Sequence, residues 1–197
     1  MAINKLITAP SGNCVTLTDV KAQLRIDTSD DDTLLERMID TAEDLLQNRY
    51  GWAFLTQTRE EVLDAFPSGM DEISLQFPIV TAISSIKYID EDNVEQTWPA
   101  TEWQYDIDGT FARIKPAYGY EYPDTYPDTF NVVRVRYVTG YATVATVPNC
   151  IKHAILLLIG DWYENREAFN LRTIPGADSD VLDALMANYC DPRKWAV

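Results

Sequence analysis

From Val15 to Gly51 the apolar side chains recur at the spacing of a helix. After Val15-Thr-Leu-Thr-Asp, the residues Leu17, Val20 and Leu24 fall on one side of a short first helix, and Thr16 or Thr18 can accept a bond from an orphan amide at its start. A helix this short must dock on something. A second helix follows, with Leu34, Leu35, Met38, Ile39, Ala42, Leu45 and Leu46 forming a stripe. The Asp30-Asp31-Asp32 cluster suits the positive end of its dipole, and Gly51 supplies its C-terminal stop.

From Phe54 to Thr139 the period drops to two. Ile73/Leu75/Phe77, Trp103/Tyr105/Ile107 and Val133/Val135/Tyr137 each alternate with other side chains, which predicts a β-rich section. Asp92-Asn93 and Asp108-Gly109 are hairpin-turn candidates, the second the stronger because a type I′ turn needs positive φ, which Gly adopts without strain. Between these strands, residues 118–127 hold too much Tyr, Pro and Gly for a central strand and predict an exposed loop.

Helical spacing returns at Pro148, a residue suited to a first helical turn because its missing amide hydrogen has no partner there. Ile151, Ala154, Ile155, Leu157, Leu158, Ile159 and Trp162 make the following helix apolar around most of its circumference, which predicts packing on several sides. A Pro175-Gly176 break precedes a last helix near Ser179–Tyr189, with Val181, Leu182, Leu185 and Met186 on its buried side. The fold class is therefore α+β: a helical bundle of N- and C-terminal helices with an inserted antiparallel β-rich section. Residues 16–50 and 148–190 form the helical frame and 54–139 the insertion, all within one domain spanning 1–197.

Composition narrows the chemistry. With 46% hydrophobic residues the chain can build a real core, while a net charge of −15 opposes binding to a phosphate backbone. The three cysteines, Cys14, Cys150 and Cys190, are odd in number and far apart, which fits a reducing compartment better than a disulfide framework. No apolar run is long enough to span a bilayer, and the N-terminus lacks a signal-like core, so a soluble protein made in the cytoplasm is expected.

Catalytic constellations are missing. The single histidine, His153, has no Gly-x-Ser-x-Gly elbow to serve, and with Cys150 it makes only half of a zinc site. Asp90-Glu91-Asp92-Asn93 has a calcium-loop look, but Glu95 stands where such a loop needs Gly and Thr101 where it needs Glu. No Gly-rich phosphate loop is present. Arg134 and Arg136 share one strand face, where they sit on a solvated sheet or clamp a neighbour's carboxylate. No catalytic, metal-ligating or cofactor-binding residue is assigned.

What remains is aromatic. Tyr118, Tyr120, Tyr122 and Tyr126 crowd one Pro- and Gly-broken loop and cannot all reach one core, so a protein-contact role is expected for them. Trp162 and Tyr163, ahead of Asn165-Arg166-Glu167, combine residue types common at interfaces, although Trp162 fits a core position equally well.

The order of motifs is that of a known family. Val15-Thr-Leu-Thr-Asp-Val-Lys-Ala-Gln-Leu-Arg-Ile-Asp, the Asp-rich opening of the second helix, Tyr50-Gly-Trp and Thr56-Gln-Thr come first. Then follow Ile86-Lys-Tyr-Ile-Asp, Arg113-Ile-Lys-Pro, Val133-Arg-Val-Arg-Tyr-Val-Thr-Gly-Tyr, Val147-Pro, Ile151-Lys-His-Ala-Ile-Leu-Leu-Leu and Asp161-Trp-Tyr-Glu-Asn-Arg-Glu. Together they resemble the phage gp6-like head–tail connector (adaptor) family, including its members with a β insertion. The resemblance implies a virion protein at the head–tail junction, made in the host bacterial cytoplasm. It also implies a ring of twelve copies under the portal protein that extends the DNA channel, lets DNA pass without specific binding, and receives a head-completion or tail protein. No catalytic residue or cofactor is implied. If docking uses a C-terminal extension, Trp195 is its expected anchor. Other readings are a carbohydrate- or peptide-binding module built on the β section, a head-closure protein, and a small acidic hydrolase that would depend on His153.

Overall fold

The computed structural model describes residues 3–69, 71–165 and 177–190. Helices and antiparallel sheets are both present, an α+β mixture, and the chain divides into two compact units. One comprises residues 11–55 and 141–197, the other residues 1–10 and 56–140.

The helical unit begins with α1 (Leu17–Leu24), opened by a capping box in which the Asp19 amide donates to Thr16 Oγ1 and the Thr16 amide donates to Asp19 Oδ2. Of the two threonines considered, Thr16 is the cap. α2 (Asp32–Tyr50) buries Leu35, Ile39, Ala42, Leu46 and Tyr50, while Leu45 at the edge of the stripe is 42% exposed. Gly51 ends it as expected, at φ 66° with its N–H on the Gln47 carbonyl. The Asp cluster does not cap the helix through a side chain. Asp31 accepts instead from the Tyr163 hydroxyl at 2.7 Å and Asp32 from Lys21 Nζ at 2.7 Å.

α3 (Asn149–Glu164) starts one residue after Pro148 and buries Ile151, Ala154, Ile155 and Ile159. Leu156, Leu157, Leu158 and Trp162 are only half-buried, so one face of the helix is covered rather than its whole circumference. α4 (Ala177–Met186) closes on this group with Met186 fully buried, while Val181 is 51% exposed. Asp183 accepts from the Tyr50 hydroxyl and from Arg49 Nη2, and Tyr189 meets Trp52 edge-on at 5.7 Å. The Pro175-Gly176 break lies outside the described residues.

The other unit holds two antiparallel sheets. The larger runs β1 (Ile3–Thr8), β2 (Gln57–Leu63), β8 (Val133–Thr139), β4 (Val80–Ile89), β5 (Glu95–Thr97) in spatial order. The smaller runs β3 (Ile73–Ser74), β7 (Arg113–Pro116), β6 (Trp103–Asp106). Val133, Val135 and Tyr137 point into a core shared with Ile73, Leu75, Ile86, Trp98 and Ile114, which bears out the alternation read in the third strand pattern. The expected strand through Phe77 is shorter: Phe77 at φ 55° and Ile79 at φ 67° flank Pro78 in left-handed backbone. For a β-branched residue that conformation is strained. It is held because the Thr139 hydroxyl lies 2.8 Å from both the Phe77 and Pro78 carbonyls and shares its one hydrogen between them, and the Gly140 amide donates to the Ile79 carbonyl.

The hairpin turns reverse in strength. In the β4–β5 turn Asn93 takes φ 61° and the Asp90 carboxylate accepts from the amides of Asp92 and Val94. Between β6 and β7 the link is a longer loop in which Gly109 does not need positive φ, because Asp106 organises it by accepting from the Asp108 amide.

The first strand, β1, was not foreseen. It pairs with β2 as an edge strand, Asn4 opposite Glu61 and Lys5 opposite Glu60. On the inward side of β2 stand polar residues, Gln57, Arg59 and Glu61, rather than aliphatic ones. Arg59 is covered by the Phe77 ring at 3.4 Å, a cation–π contact, and Glu61 accepts from the Gln76 amide at 3.0 Å.

Candidate functional site

The residues singled out by sequence fall on two surfaces, one in each unit. In the β unit the link between β7 and β8 is the tyrosine loop. Gly119, at φ 86°, lets the chain turn back so that the Tyr120 amide reaches the Ala117 carbonyl. Tyr122 then turns inward: its ring stacks on Phe66 at 5.0 Å and lies 5.5 Å from Trp98, and its hydroxyl donates to the Asp71 carbonyl at 2.7 Å. Burial, helped by Asp71 and Glu72, pushes its phenol up to about 12. Further on, the Tyr126 amide donates to the Ile89 carbonyl at 3.0 Å. Asp128 and Asn131 take positive φ, and the Asn131 amide donates to Asp64 Oδ1 at 3.1 Å, which holds that carboxyl below the usual range.

The loop is thus pinned at its middle and near both ends, and it presents the remaining aromatics outward. Tyr118 is 99% exposed, Tyr120 46% and Tyr126 37%. Phe130, 79% exposed, belongs to the same surface and escaped the sequence reading. Its signal was an isolated Phe among Asp128, Thr129 and Asn131, where no alternation assigns it to a core. Exposed aromatics on backbone that is already fixed lose little entropy on contact, so this surface is suited to protein recognition.

In the helical unit Trp162 is half-buried and Tyr163 is fixed by its bond to Asp31. Tyr163 helps to line an open groove of about 530 Å³ between α1 and α3, together with Leu24, Arg25, Leu156, Leu157 and Gly160. Arg25 occupies the left-handed cap of α1 at φ 58°. Arg166 and Trp195 lie outside the described residues.

The two arginines singled out by sequence are answered within the chain. Arg134 reaches Glu95 at 3.2 Å and Arg136 reaches Glu60 at 2.8 Å, so both sit on a cross-strand ion-pair ladder on the outer sheet face. Lys87, bonded to Glu95 at 2.7 Å, holds that carboxyl below its ordinary value with help from Arg134. Arg113 does the same for Asp106 at 2.6 Å. The Asp90 carboxylate of the calcium-like segment is occupied by turn amides and by Gln96 Nε2. Cys150 and His153 are both exposed on α3, and among the described residues no group of three or more His, Cys, Asp or Glu is placed to hold a metal ion. Among the described residues no helix is long and apolar enough to cross a membrane.

A family model described as phage gp6-like head–tail connector protein matches residues 14–114, about half of the chain. No curated protein matches. Among solved structures, a chain from the neck of an empty GTA particle computed with C6 symmetry superposes with a TM-score of 0.74 at 20% identity, over 93% of this chain and 94% of that one. A chain from the neck of a native GTA particle computed with C12 symmetry gives 0.71 at 20% identity, over 94% and 93%. One from the virion of a native gene transfer agent particle gives 0.70 at 20% identity, over 93% and 94%. At this identity the likeness is one of fold.

Proposed function

The chain belongs to the phage gp6-like head–tail connector family, and from that premise we propose that it is the structural subunit that joins head to tail in a tailed phage or prophage particle. Copies close into a ring of twelve beneath the portal protein, extend the DNA channel, and receive a head-completion or tail protein on the far side. In this reading the helices of residues 16–50 and 148–190 are the frame and residues 54–139 the insertion carried by it. The family match over residues 14–114 carries the proposal. The pinned aromatic loop supports it, because a head-to-tail ring needs two different patches on each subunit and Tyr118, Tyr120, Tyr126 and Phe130 make one of them. The net charge of −15 is compatible with a channel through which DNA slides without binding. The protein acts through contact, with no cofactor, as a component of the virion made in the host cytoplasm.

Electron microscopy of the purified protein mixed with portal rings from the same particle tests this. A ring of added density against the portal is expected. Portals that stay bare at micromolar protein would end the proposal.

A further inference from the structure

β1 is held to its sheet in an unusual way. Its burial pattern leaves all but Asn4 exposed, with Ile3 at 46%, Leu6 at 46% and Ile7 at 42%. No apolar side chain of the strand is sunk in the core, and Lys5 is the charge that guards this edge. What fixes the strand, beyond the backbone ladder, is the amide of Asn4. Its Nδ2 donates to Glu61 Oε2 at 3.2 Å and to the Tyr137 hydroxyl oxygen at 2.7 Å, and its Oδ1 accepts from Arg59 Nη1 at 2.9 Å. The Tyr137 hydroxyl donates its hydrogen bond to the Gln76 carbonyl at 2.6 Å, so its oxygen can accept from Asn4. The slot therefore calls for a group that donates and accepts at once, which Asp and Leu cannot do. Glu61 is 1% exposed and Arg59 6%, so water does not easily replace that amide.

The chain that carries β1 leaves at once for the other unit and returns to β2 only at Thr56. It is tied down again at Asn13, whose Nδ2 bonds Asp40, and at Cys14, whose amide bonds Glu43. Between strand and anchor lie Ala9, Pro10, Ser11 and Gly12, exposed apart from the half-buried proline. A strand on a short strap containing proline, seated by a polar key rather than by apolar burial, fits the slot of any identical chain equally well.

We propose that β1 is exchanged between copies on assembly, so that residues 3–8 of one subunit lie beside β2 of its neighbour and Asn4 binds the neighbour's Arg59, Glu61 and Tyr137. The partner is a second copy of this chain, and the inference rests on the ring reading above. Closed and exchanged forms make the same contacts, so the balance is set by the strap and by the local concentration of neighbours. Short connecting segments favour exchange, and a ring raises the effective concentration of the neighbouring strand to roughly the millimolar range.

The double variant Lys5→Cys/Glu60→Cys tests it, in a chain whose exposed Cys150 and half-buried Cys190 are changed to Ser and whose buried Cys14 is kept. Lys5 and Glu60 stand opposite in register, at a separation that a disulfide can bridge. Oxidised free protein is expected to run as a monomer on a non-reducing gel. Protein oxidised after ring formation on portals is expected to run as a covalent ladder, which arises only if the two cysteines belong to different chains. Rings visible by microscopy whose subunits all run as oxidised monomers overturn the exchange and leave the ring intact. Bare portals overturn both.

Discussion

At the scale of single residues, Glu43 makes stability depend on pH between the ordinary glutamate value and neutrality. It lies on α2 at 5% exposure and accepts the amides of Cys14 and Val15, which ties the segment before α1 to the helix. Burial pushes its acid up to about 7, Asp40 and Asp44 add to this, and the two amides oppose it. Between the ordinary glutamate value and 7 the folded state holds more protons than the unfolded one. Its contribution is therefore complete below the ordinary value and is lost as pH rises through 7, a change of up to about 3 kcal/mol. Glu43→Gln keeps an acceptor and does not titrate. In urea titrations across pH it should exceed the parent by up to about 3 kcal/mol at pH 8 and match it near pH 4. A difference that does not vary with pH would contradict this assignment. The buried Cys14 thiol, pushed up by burial and by Glu43, should stay unreactive to thiol reagents in the folded protein while Cys150 reacts. Asn4 makes the second residue-scale case. Asn4→Ala removes its bonds to Arg59, Glu61 and Tyr137 and should cost about 2 kcal/mol, with hydrogen-exchange protection lost along Ile3–Thr8 before β2.

At the scale of elements, α1 shows how much depends on a helix end. It buries only Val20 fully and relies on the box between Thr16 and Asp19. Thr16→Ala should cost about 1 kcal/mol in thermal or urea unfolding, and Thr18→Ala close to nothing, since the cap is Thr16. The helices and β8 were legible because their apolar period is written in side chains that do reach a core, and Gly51 because a left-handed helix end has few alternatives. Other features were illegible for physical reasons. β1 carries no alternation because an edge strand seated by Asn4 has no apolar face to repeat. The Asp cluster does open α2, with Asp32 in its first turn, but the partners that its carboxylates take, Lys21 and Tyr163, lie on other helices and were not legible. Asn93 rather than Gly109 took positive φ because loop length, set by where the strands end, decides the turn before residue preference does. In the tyrosine loop, exposure was legible from Pro and Gly. That Tyr122 alone turns inward was not, because its pocket is built from Phe66 and Trp98 far away in the chain.

At the scale of the whole molecule, charge and aromatic surface pull in opposite directions. Copies that each carry −15 repel, and Arg113, Arg134 and Arg136 already face carboxylates of their own chain. In the proposed ring, association then comes from apolar contact, for which the pinned loop supplies Tyr118, Tyr126 and Phe130. Changing these to Ser touches two side chains that largely face solvent, Tyr118 and Phe130, and the more covered Tyr126, while the bonds that hold the loop, from Tyr122 to Asp71, Tyr126 N–H to Ile89 and Asn131 to Asp64, stay in place. Stability of the single chain should therefore fall by no more than about 2 kcal/mol, most of it from the partly covered Tyr126. Binding to portal rings should weaken at least about tenfold, the scale of a lost interface anchor. Salt separates this from an ionic contact: screening relieves repulsion between acidic copies, so raising ionic strength from about 0.05 to about 0.5 M should strengthen assembly of the parent chain. Assembly that weakens with salt, or that survives the triple serine variant unchanged, would mean that ion pairs or another surface carry the contact.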